Sequence, residues 1–269
     1  MNRPPLTCRA SIARRLEEAG LENAQAEARF ICDAAYDEDA AQDMAARRIN
    51  REPLSQILGT QPFWTLDLTV TPDVLTPRAD TETLVEQALK FIPNKDDEYT
   101  IVDLGTGSGA ILLALLSERP KSTGIGVDSS QAALSVARDN ATRNNLTGRA
   151  NFMAGNWADG LPDDHFDLAV SNPPYITTEV LAGLEPEVRD HEPHLALDGG
   201  VDGLDVYRIL IPELFRIVRP GGHALVEIGY DQAEPVTGLF VSAGLIDVTL
   251  THDLAGHPRV IGGRKPLNP

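Results

Sequence analysis

Residues 6 to about 60 carry helical periodicity and no strand signal. The stretch 11–20 has helical spacing and ends on Gly20, a residue suited to a C-cap. Between Asn23 and Ala35, the positions Ala26, Phe30, Ile31 and Ala34 fall on one face. Residues 39–50 predict a third helix, and 52–59 a short fourth that glycine again stops. The pattern then changes. Phe63-Trp64-Thr65-Leu66-Asp67-Leu68-Thr69-Val70-Thr71 alternates and is β-rich, which predicts a hairpin or a pair of linker strands. A helix follows over 81–91, and the acidic stretch Asp96-Asp97-Glu98 reads as a solvated turn.

From residue 99, strands alternate with helices. Strands are expected at 99–104, 123–127, 150–153, 166–171 and 223–228, with helices at 110–118, 130–144, 204–218 and 232–243. The segment Arg219-Pro220-Gly221-Gly222 reads as the stop of the 204–218 helix. Strands at 245–251 and 259–261 close the sheet. Their loop is too short for a crossover helix, so these two should pair antiparallel. The expected fold class is α/β, a doubly wound, mostly parallel, seven-stranded, Rossmann-like sheet. Residues 1–60 form an N-terminal helical domain, 61–76 a β-hairpin linker and 77–269 the domain that carries the chemistry.

Composition narrows the partners. The chain has 269 residues, a 42% hydrophobic fraction, a formal net charge of −17 and a pI of about 4.6. Affinity for nucleic acid rests mainly on Lys and Arg, so this charge weighs against a nucleic-acid partner. No 18-residue apolar run is present, so no membrane span is expected. Met1-Asn2-Arg3-Pro4-Pro5 leads into a polar helical pattern rather than an apolar signal core. Cys8 and Cys32 read as free thiols between helices in a reducing cytosol, which makes the expected location cytoplasmic.

Two motifs carry chemistry. Asp103-Leu104-Gly105-Thr106-Gly107-Ser108-Gly109 joins a strand to its helix. Such glycines either allow tight strand-to-helix packing or let a ligand approach the backbone closely. Asp128 ends the next strand, near the spacing at which a carboxylate accepts bonds from ribose hydroxyls, so an adenosine-type cofactor is expected. A pyrophosphate needs free helix N-terminal amides, whereas Asp103 at a strand end suits a cationic amine such as that of S-adenosylmethionine. Trp157, after the third strand of the sheet, reads equally as an adenine neighbour or as core. The second motif is Asn172-Pro173-Pro174-Tyr175, directly after the apolar strand 166–171. Consecutive prolines cannot continue a ladder, so the tetrapeptide is a rigid lip at a strand's C-terminal edge. Asn172, proline carbonyls and an aromatic ring suit a planar nitrogen; a proline turn with Tyr175 as packing is the plain alternative. His191-Glu192-Pro193-His194 has the wrong geometry for a helical metal motif and lacks a third ligand, so no metal is expected.

Together these residues resemble a class I S-adenosylmethionine-dependent methyltransferase. More narrowly, the chain resembles the HemK/PrmC family of release factor glutamine methyltransferases. The matching pieces are Gln56-Ile57-Leu58-Gly59, Phe63-Trp64, Pro77-Arg78, Thr81-Glu82, Asn172 to Ile176, Glu192-Pro193, Ala196-Leu197, Asp253 to Gly256 and Arg259 to Ile261. The resemblance implies that Asp103, Gly105, Thr106, Gly107, Ser108 and Gly109 line the methionine and ribose part of S-adenosylmethionine. It places Asp128 on the ribose hydroxyls and Trp157 near the adenine. It puts Asn172 at the junction of cofactor and acceptor. Asn172, Pro173, Pro174 and Tyr175 would hold the glutamine of the Gly-Gly-Gln motif in class I peptide chain release factors, with Phe63 and Arg78 near it. Asn172, Pro173 and Tyr175 are the expected catalytic set. A large-subunit ribosomal protein and, further off, a nucleic-acid amino group remain alternative acceptors. The enzyme is expected to act as a monomer, with no direct nucleic-acid or membrane partner.

Overall fold

The computed structural model describes residues 6–267. The N-terminal peptide 1–5, expected to lead into a polar helix rather than a signal core, lies outside the described residues. Four helices open the chain: α1 (Leu6–Glu18), α2 (Ala24–Ala34), α3 (Glu38–Ile49) and α4 (Leu54–Leu58). Asp37 caps α3 by accepting from the Ala40 amide at 2.8 Å, and Gly59 ends α4 at a positive φ of 72°. Ile12, Leu16, Ala28, Ile31, Ala41 and Ala45 form their shared core, with Cys8 and Cys32 as buried free thiols beside it. Small residues on facing helices let the backbones approach, which fits so many alanines at that contact.

β1 (Thr60–Phe63) and β2 (Leu66–Thr69) form an antiparallel hairpin. It is tied to the larger sheet by Asn140, which bonds both the amide and the carbonyl of Thr69 and the Ser108 carbonyl. A 3₁₀ turn at Ala79–Thr81 then leads into α5 (Glu82–Phe91). The alternating region comprises β3 (Thr100–Leu104), α6 (Ala110–Glu118), β4 (Thr123–Asp128), α7 (Gln131–Arg143), β5 (Ala150–Ala154) and β6 (Phe166–Ser171). Two short helices follow, α8 (Thr178–Leu181) and α9 (Pro186–Arg189). The chain ends with α10 (Asp205–Ile217), β7 (Val218–Glu227), α11 (Ala233–Ser242), β8 (Ile246–His252) and β9 (Pro258–Arg264).

The sheet has seven strands in the order β5-β4-β3-β6-β7-β9-β8. Strands β3 to β7 run parallel, and β9 is antiparallel to both β7 and β8. This is the seven-stranded α/β class expected from the sequence. One face buries Leu84 and Val85 of α5, Leu112 and Leu113 of α6, and Phe63 and Leu68 of the hairpin. The other buries Tyr207, Leu210 and Leu214 of α10 with Val236 and Phe240 of α11. Strands covered on both faces read as near-continuous apolar runs, as β6 does.

Two local expectations change. Arg219-Pro220-Gly221-Gly222 does not separate a helix from a strand; it lies inside β7, where the register with β6 shifts. Gly221 has a φ of 80°, and a Cβ on Gly222 would stand 2.9 Å from the Asp167 carbonyl, so the glycines permit a bulge against β6. The span 176–203, left without elements by the sequence, folds into α8, α9 and a 3₁₀ turn at His194–Ala196. Arg48 of α3, itself buried, pairs with Glu27 of α2 at 2.8 Å and Glu187 of α9 at 2.9 Å. Gln56 donates to the His191 carbonyl at 3.0 Å. The helices of the N-terminal region are thus fastened to the span that covers the site.

Candidate active site

The sheet order reverses at β3, which has β4 on one side and β6 on the other. Ligands of open α/β sheets bind at the C-terminal ends of the strands beside such a reversal. Here that place holds a cavity of about 360 Å³, within the usual range for small-molecule sites. Gly105, Gly107, Asp128, Trp157, Asn172 and Pro174 line it.

The turn after β3 is tight because Gly105, Gly107 and Gly109 all take positive φ, at 73°, 53° and 81°. The Gly105 and Thr106 amides both donate to the Val127 carbonyl at 2.9 Å, which pulls the turn beside the end of β4. A Cβ on Gly105 would sit 3.4 Å from the Trp157 ring, so a side chain there would occupy space between backbone and ring. Asp128 accepts from the Gly107 amide at 2.8 Å and the Ser130 amide at 2.9 Å, one on each oxygen. Each oxygen keeps a second acceptor site.

Asp103 lies under the turn, fully buried. Its Oδ2 accepts from the Thr106 hydroxyl at 2.7 Å, while Oδ1 has no partner. Burial pushes this carboxyl up to about 7, with Asp128 adding to the rise. A buried carboxylate oxygen without a donor is costly, and a cationic amine is the group that would satisfy it. The orphaned oxygen, the glycine cradle and the ribose-type carboxylate fit S-adenosylmethionine.

Opposite stands the lip. Asn172 donates from Nδ2 to the Thr81 hydroxyl at 3.3 Å, and Pro174 faces the cavity. Tyr175 donates its hydroxyl to Glu227 Oε1 at 3.3 Å. Burial raises the Tyr175 phenol well above its ordinary range, and the Glu227 charge adds to this. The backbone at Tyr175 is gripped closely. A Cβ on Gly199 would stand 2.7 Å from Tyr175 Cα, and one on Gly203 would stand 2.5 Å from its carbonyl oxygen. Gln232 donates to that same carbonyl at 3.0 Å. The lip is held rigid by span 176–203 as well as by its prolines.

Not every residue singled out from sequence reaches the cavity. Thr106 and Ser108 are buried behind the turn, where Ser108 offers its carbonyl to Asn140, and Gly109 is the residue that caps α6. Pro173 is buried beneath the lip rather than on the cavity wall. Phe63 is corrected: it is 1% exposed and packs with Leu68 and Leu84 in the core, so it has no face for an acceptor. Arg78 pairs with the buried Glu192 at 2.7 Å and borders a second crevice, of about 310 Å³, beside Arg48. Glu192 and His194 are engaged in the fold, the latter at 3.0 Å from the Arg189 carbonyl. Sequence reading singled out Thr81 only within the Thr81-Glu82 match, with no role, and missed Glu227. The available signal was a charge closing the apolar run Ala224-Leu225-Val226 of β7.

Comparison with known proteins agrees with this geometry. A family model described as "Methyltransferase domain" matches residues 95–236. The release factor glutamine methyltransferase of Caulobacter vibrioides is 47% identical, over 94% of this chain and 94% of its own. That of Geobacter sulfurreducens is 43% identical, over 93% and 92%. Among solved structures, a Pyrococcus furiosus methyltransferase aligns with a TM-score of 0.57 at 16% identity, covering 84% of this chain and all of that one. The hMettl16 catalytic domain aligns with a TM-score of 0.63 at 16% identity over 82% of each. At such identity these two speak for the fold alone. The protein is a methyltransferase that uses S-adenosylmethionine. With relatives this similar along nearly its whole length, the chain belongs to the family of release factor glutamine methyltransferases.

Proposed function

We propose that the protein methylates the side-chain nitrogen N5 of the glutamine in the Gly-Gly-Gln motif of class I peptide chain release factors. The names of its relatives point to that acceptor. The observation that carries the reading is the Asn172 amide. Its Nδ2 is taken up by Thr81, so Oδ1, which has no donor among the described residues, is left to accept from an incoming N–H.

When bound, S-adenosylmethionine supplies a methyl group already activated by a sulfonium. Asp103 would hold its amine, Asp128 its ribose hydroxyls, and Trp157 would flank the base. Gly105 and Gly107 would let it lie against the backbone. The remaining difficulty is the nucleophile, because an amide lone pair is delocalised into its carbonyl. Asn172 Oδ1 would accept an amide proton and orient the nitrogen toward the methyl, whereas Pro173, expected to share this work, lies behind the cavity wall. The same oxygen would stabilise the positive charge that develops on nitrogen. Neither proline offers an N–H that would compete. Tyr175, pinned through its hydroxyl, restricts rotation of the amide plane. Once methylated by the bound sulfonium, the nitrogen would be acidic and would lose one proton to solvent, so the chain need supply no strong base.

The helices of residues 1–60 would read the body of the partner while the lip takes its glutamine. An acidic chain of net charge −17 suits a protein acceptor better than a phosphate backbone. No helix among the described residues is long and apolar enough to cross a membrane. We place the enzyme in the cytoplasm, acting as a monomer. The test is incubation with labelled S-adenosylmethionine and four acceptors: release factor, large-subunit ribosomal protein, DNA and RNA. Mass spectrometry should place the methyl on the Gly-Gly-Gln glutamine. Label in nucleic acid with none in that peptide would overturn the reading.

A further inference from the structure

Gln232 stands at the N-terminal edge of α11, shortly after β7, and is 7% exposed. Helix N-caps favour short polar side chains that bond the first free amides. Gln232 makes no such bond. Its amide turns instead toward the lip. Nε2 donates to the Tyr175 carbonyl at 3.0 Å and to the Gly203 carbonyl at 3.1 Å. Oε1 accepts from the Gly229 N–H at 3.0 Å. The Tyr207 hydroxyl, which donates to the Glu227 carbonyl at 2.8 Å, lies 3.5 Å from the same Oε1. Both N–H groups of the side-chain amide are thus committed to main-chain carbonyls.

Two glycines make room for this amide. A Cβ on Gly203 would stand 2.6 Å from Nε2, and one on Gly229 would stand 3.0 Å from Oε1. Its neighbours also fix its orientation. Flipped, it would set its oxygen against two carbonyls and its NH₂ against the Gly229 N–H. Ile176, next after the lip, is held from the other side. Its N–H donates to the Leu197 carbonyl at 3.0 Å, and its carbonyl accepts from the Gly199 N–H at 2.7 Å. We infer that Gln232 is a positioning residue for methyl transfer: anchored by the Gly229 N–H, it holds the Tyr175 and Gly203 carbonyls together and so fixes where the Asn172-to-Tyr175 lip meets the cofactor cavity. This rests on the amide-methylation reading of the lip. Gln232 does not line the cavity, so it acts through the main chain of the lip.

A carboxyl in place of the amide removes the donor half alone. Gln232→Glu keeps the shape, but as a carboxylate it sets an acceptor against the two carbonyls. Burial among them should push the new carboxyl up toward neutrality. Once protonated, it regains one O–H for a carbonyl while its other oxygen still accepts from Gly229. The neutral form is the working one, so this variant should recover as pH falls. The titratable and charged groups around position 232 are Tyr175 of the lip, Tyr207 of α10, Glu227 of β7, Asp231 and, through the Ile228 carbonyl at 3.4 Å, Arg259 of β9. Burial raises both phenols well above their ordinary range, so they stay protonated. All five are present in the wild type too, so each rate is taken as a ratio to wild type at the same pH.

The experiment measures single-turnover methyl transfer, at saturating S-adenosylmethionine and acceptor, and S-adenosylmethionine affinity for the wild type, Gln232→Glu and Gln232→Met. The substrate is whichever of the four acceptors above the wild type labels, so a wrong acceptor and a wrong clamp are told apart. Gln232→Glu is prepared at pH 6, where its carboxyl is neutral, and jumped to pH 8, so both rates start from the same folded protein. At pH 8 both variants should be about 100-fold slower than wild type, the scale of a misplaced reacting group, with cofactor affinity within about threefold. At pH 6 Gln232→Glu should regain about tenfold of that ratio, since one of its two donor bonds returns. Gln232→Met has no donor at any pH, so its ratio should stay the same. Either variant at the wild-type rate at pH 8 would overturn the clamp. So would a Gln232→Glu deficit equal at pH 6 and pH 8, or a loss of cofactor affinity as large as the loss of rate.

Discussion

Replacing Asn172 by alanine separates the acceptor's binding from the donor's. In the folded protein its side chain makes one hydrogen bond, at 3.3 Å to Thr81. Losing one such partly buried bond costs about 1 kcal/mol of stability, so the variant should fold. The cofactor contacts assigned to Asp103, Asp128 and the Gly105 turn are untouched. S-adenosylmethionine affinity should then change by less than about threefold, under ~0.7 kcal/mol. The chemical step is different. The oxygen that orients the amide and meets its developing charge is gone. Removing a preorganised group of that kind costs about 10²- to 10³-fold in rate, or ~2.7–4 kcal/mol. Calorimetric titration with S-adenosylmethionine gives the first quantity, and single-turnover transfer to release factor gives the second. Equal losses in affinity and rate would refute the placement of Asn172 at the acceptor.

Three further outcomes follow from the geometry. Phe63→Ala should lower stability by about 3–5 kcal/mol in denaturant unfolding, the cost of a core aromatic, while KM for the acceptor stays unchanged; a raised KM at full stability would return Phe63 to the acceptor site. Gly203→Ala places a Cβ 2.5 Å from the Tyr175 carbonyl at a φ of +73°, so it should cost about 1–3 kcal/mol and slow methyl transfer by moving the lip. Asp103 is held near 7 by burial, above its unfolded value of about 3.9, so its share of stability is complete below pH 4 and is lost as pH rises through 7. Melting of the cofactor-free protein should weaken across that window and Asp103→Asn should flatten the slope to Glu227's share; cofactor binding near pH 7 should release a proton in the wild type and none in the variant.

Legibility in the sequence tracked distance along the chain. The Gly105 turn could be read because its glycines, the strand before it and the helix after it are contiguous. Asp128 could be read because strand ends follow from apolar runs. The antiparallel β8–β9 pair followed from the length of one loop. Phe63 misled because alternation marks a strand without saying which of its faces meets the core. The glycines at 221 and 222 look like a helix stop locally, and only the β6 carbonyls they approach make them a bulge. Thr81 and Glu227 were harder to read. Thr81 stood out only as part of the Thr81-Glu82 match, and the contacts of both with the lip exist only once the 3₁₀ turn before α5 and the end of β7 converge on it.

Four neighbouring strands end in the polar groups that matter here. Asp128 closes β4, Asp103 lies one residue before the end of β3, Asn172 directly follows β6, and Glu227 closes β7. Across the sheet they run in the order ribose carboxylate, amine carboxylate, amide acceptor, buried carboxylate. Donor and acceptor groups thus lie side by side with a spacing fixed by strand separation, about 4.8 Å per strand. Loops need not close to assemble the reacting geometry; hydrogen bonding in the sheet does it during folding. The buried Asp103 and Glu227 carboxyls are the cost of that arrangement, since burial raises both toward neutrality. Each would be relieved by a different partner: Asp103 by an amine that arrives with the cofactor, Glu227 by the Tyr175 hydroxyl already in the fold. Cofactor binding should therefore stabilise the β3 end of the sheet more than the β7 end. Hydrogen exchange that slows at residues 103–109 on S-adenosylmethionine binding, with residues 225–228 unchanged, is the expected pattern.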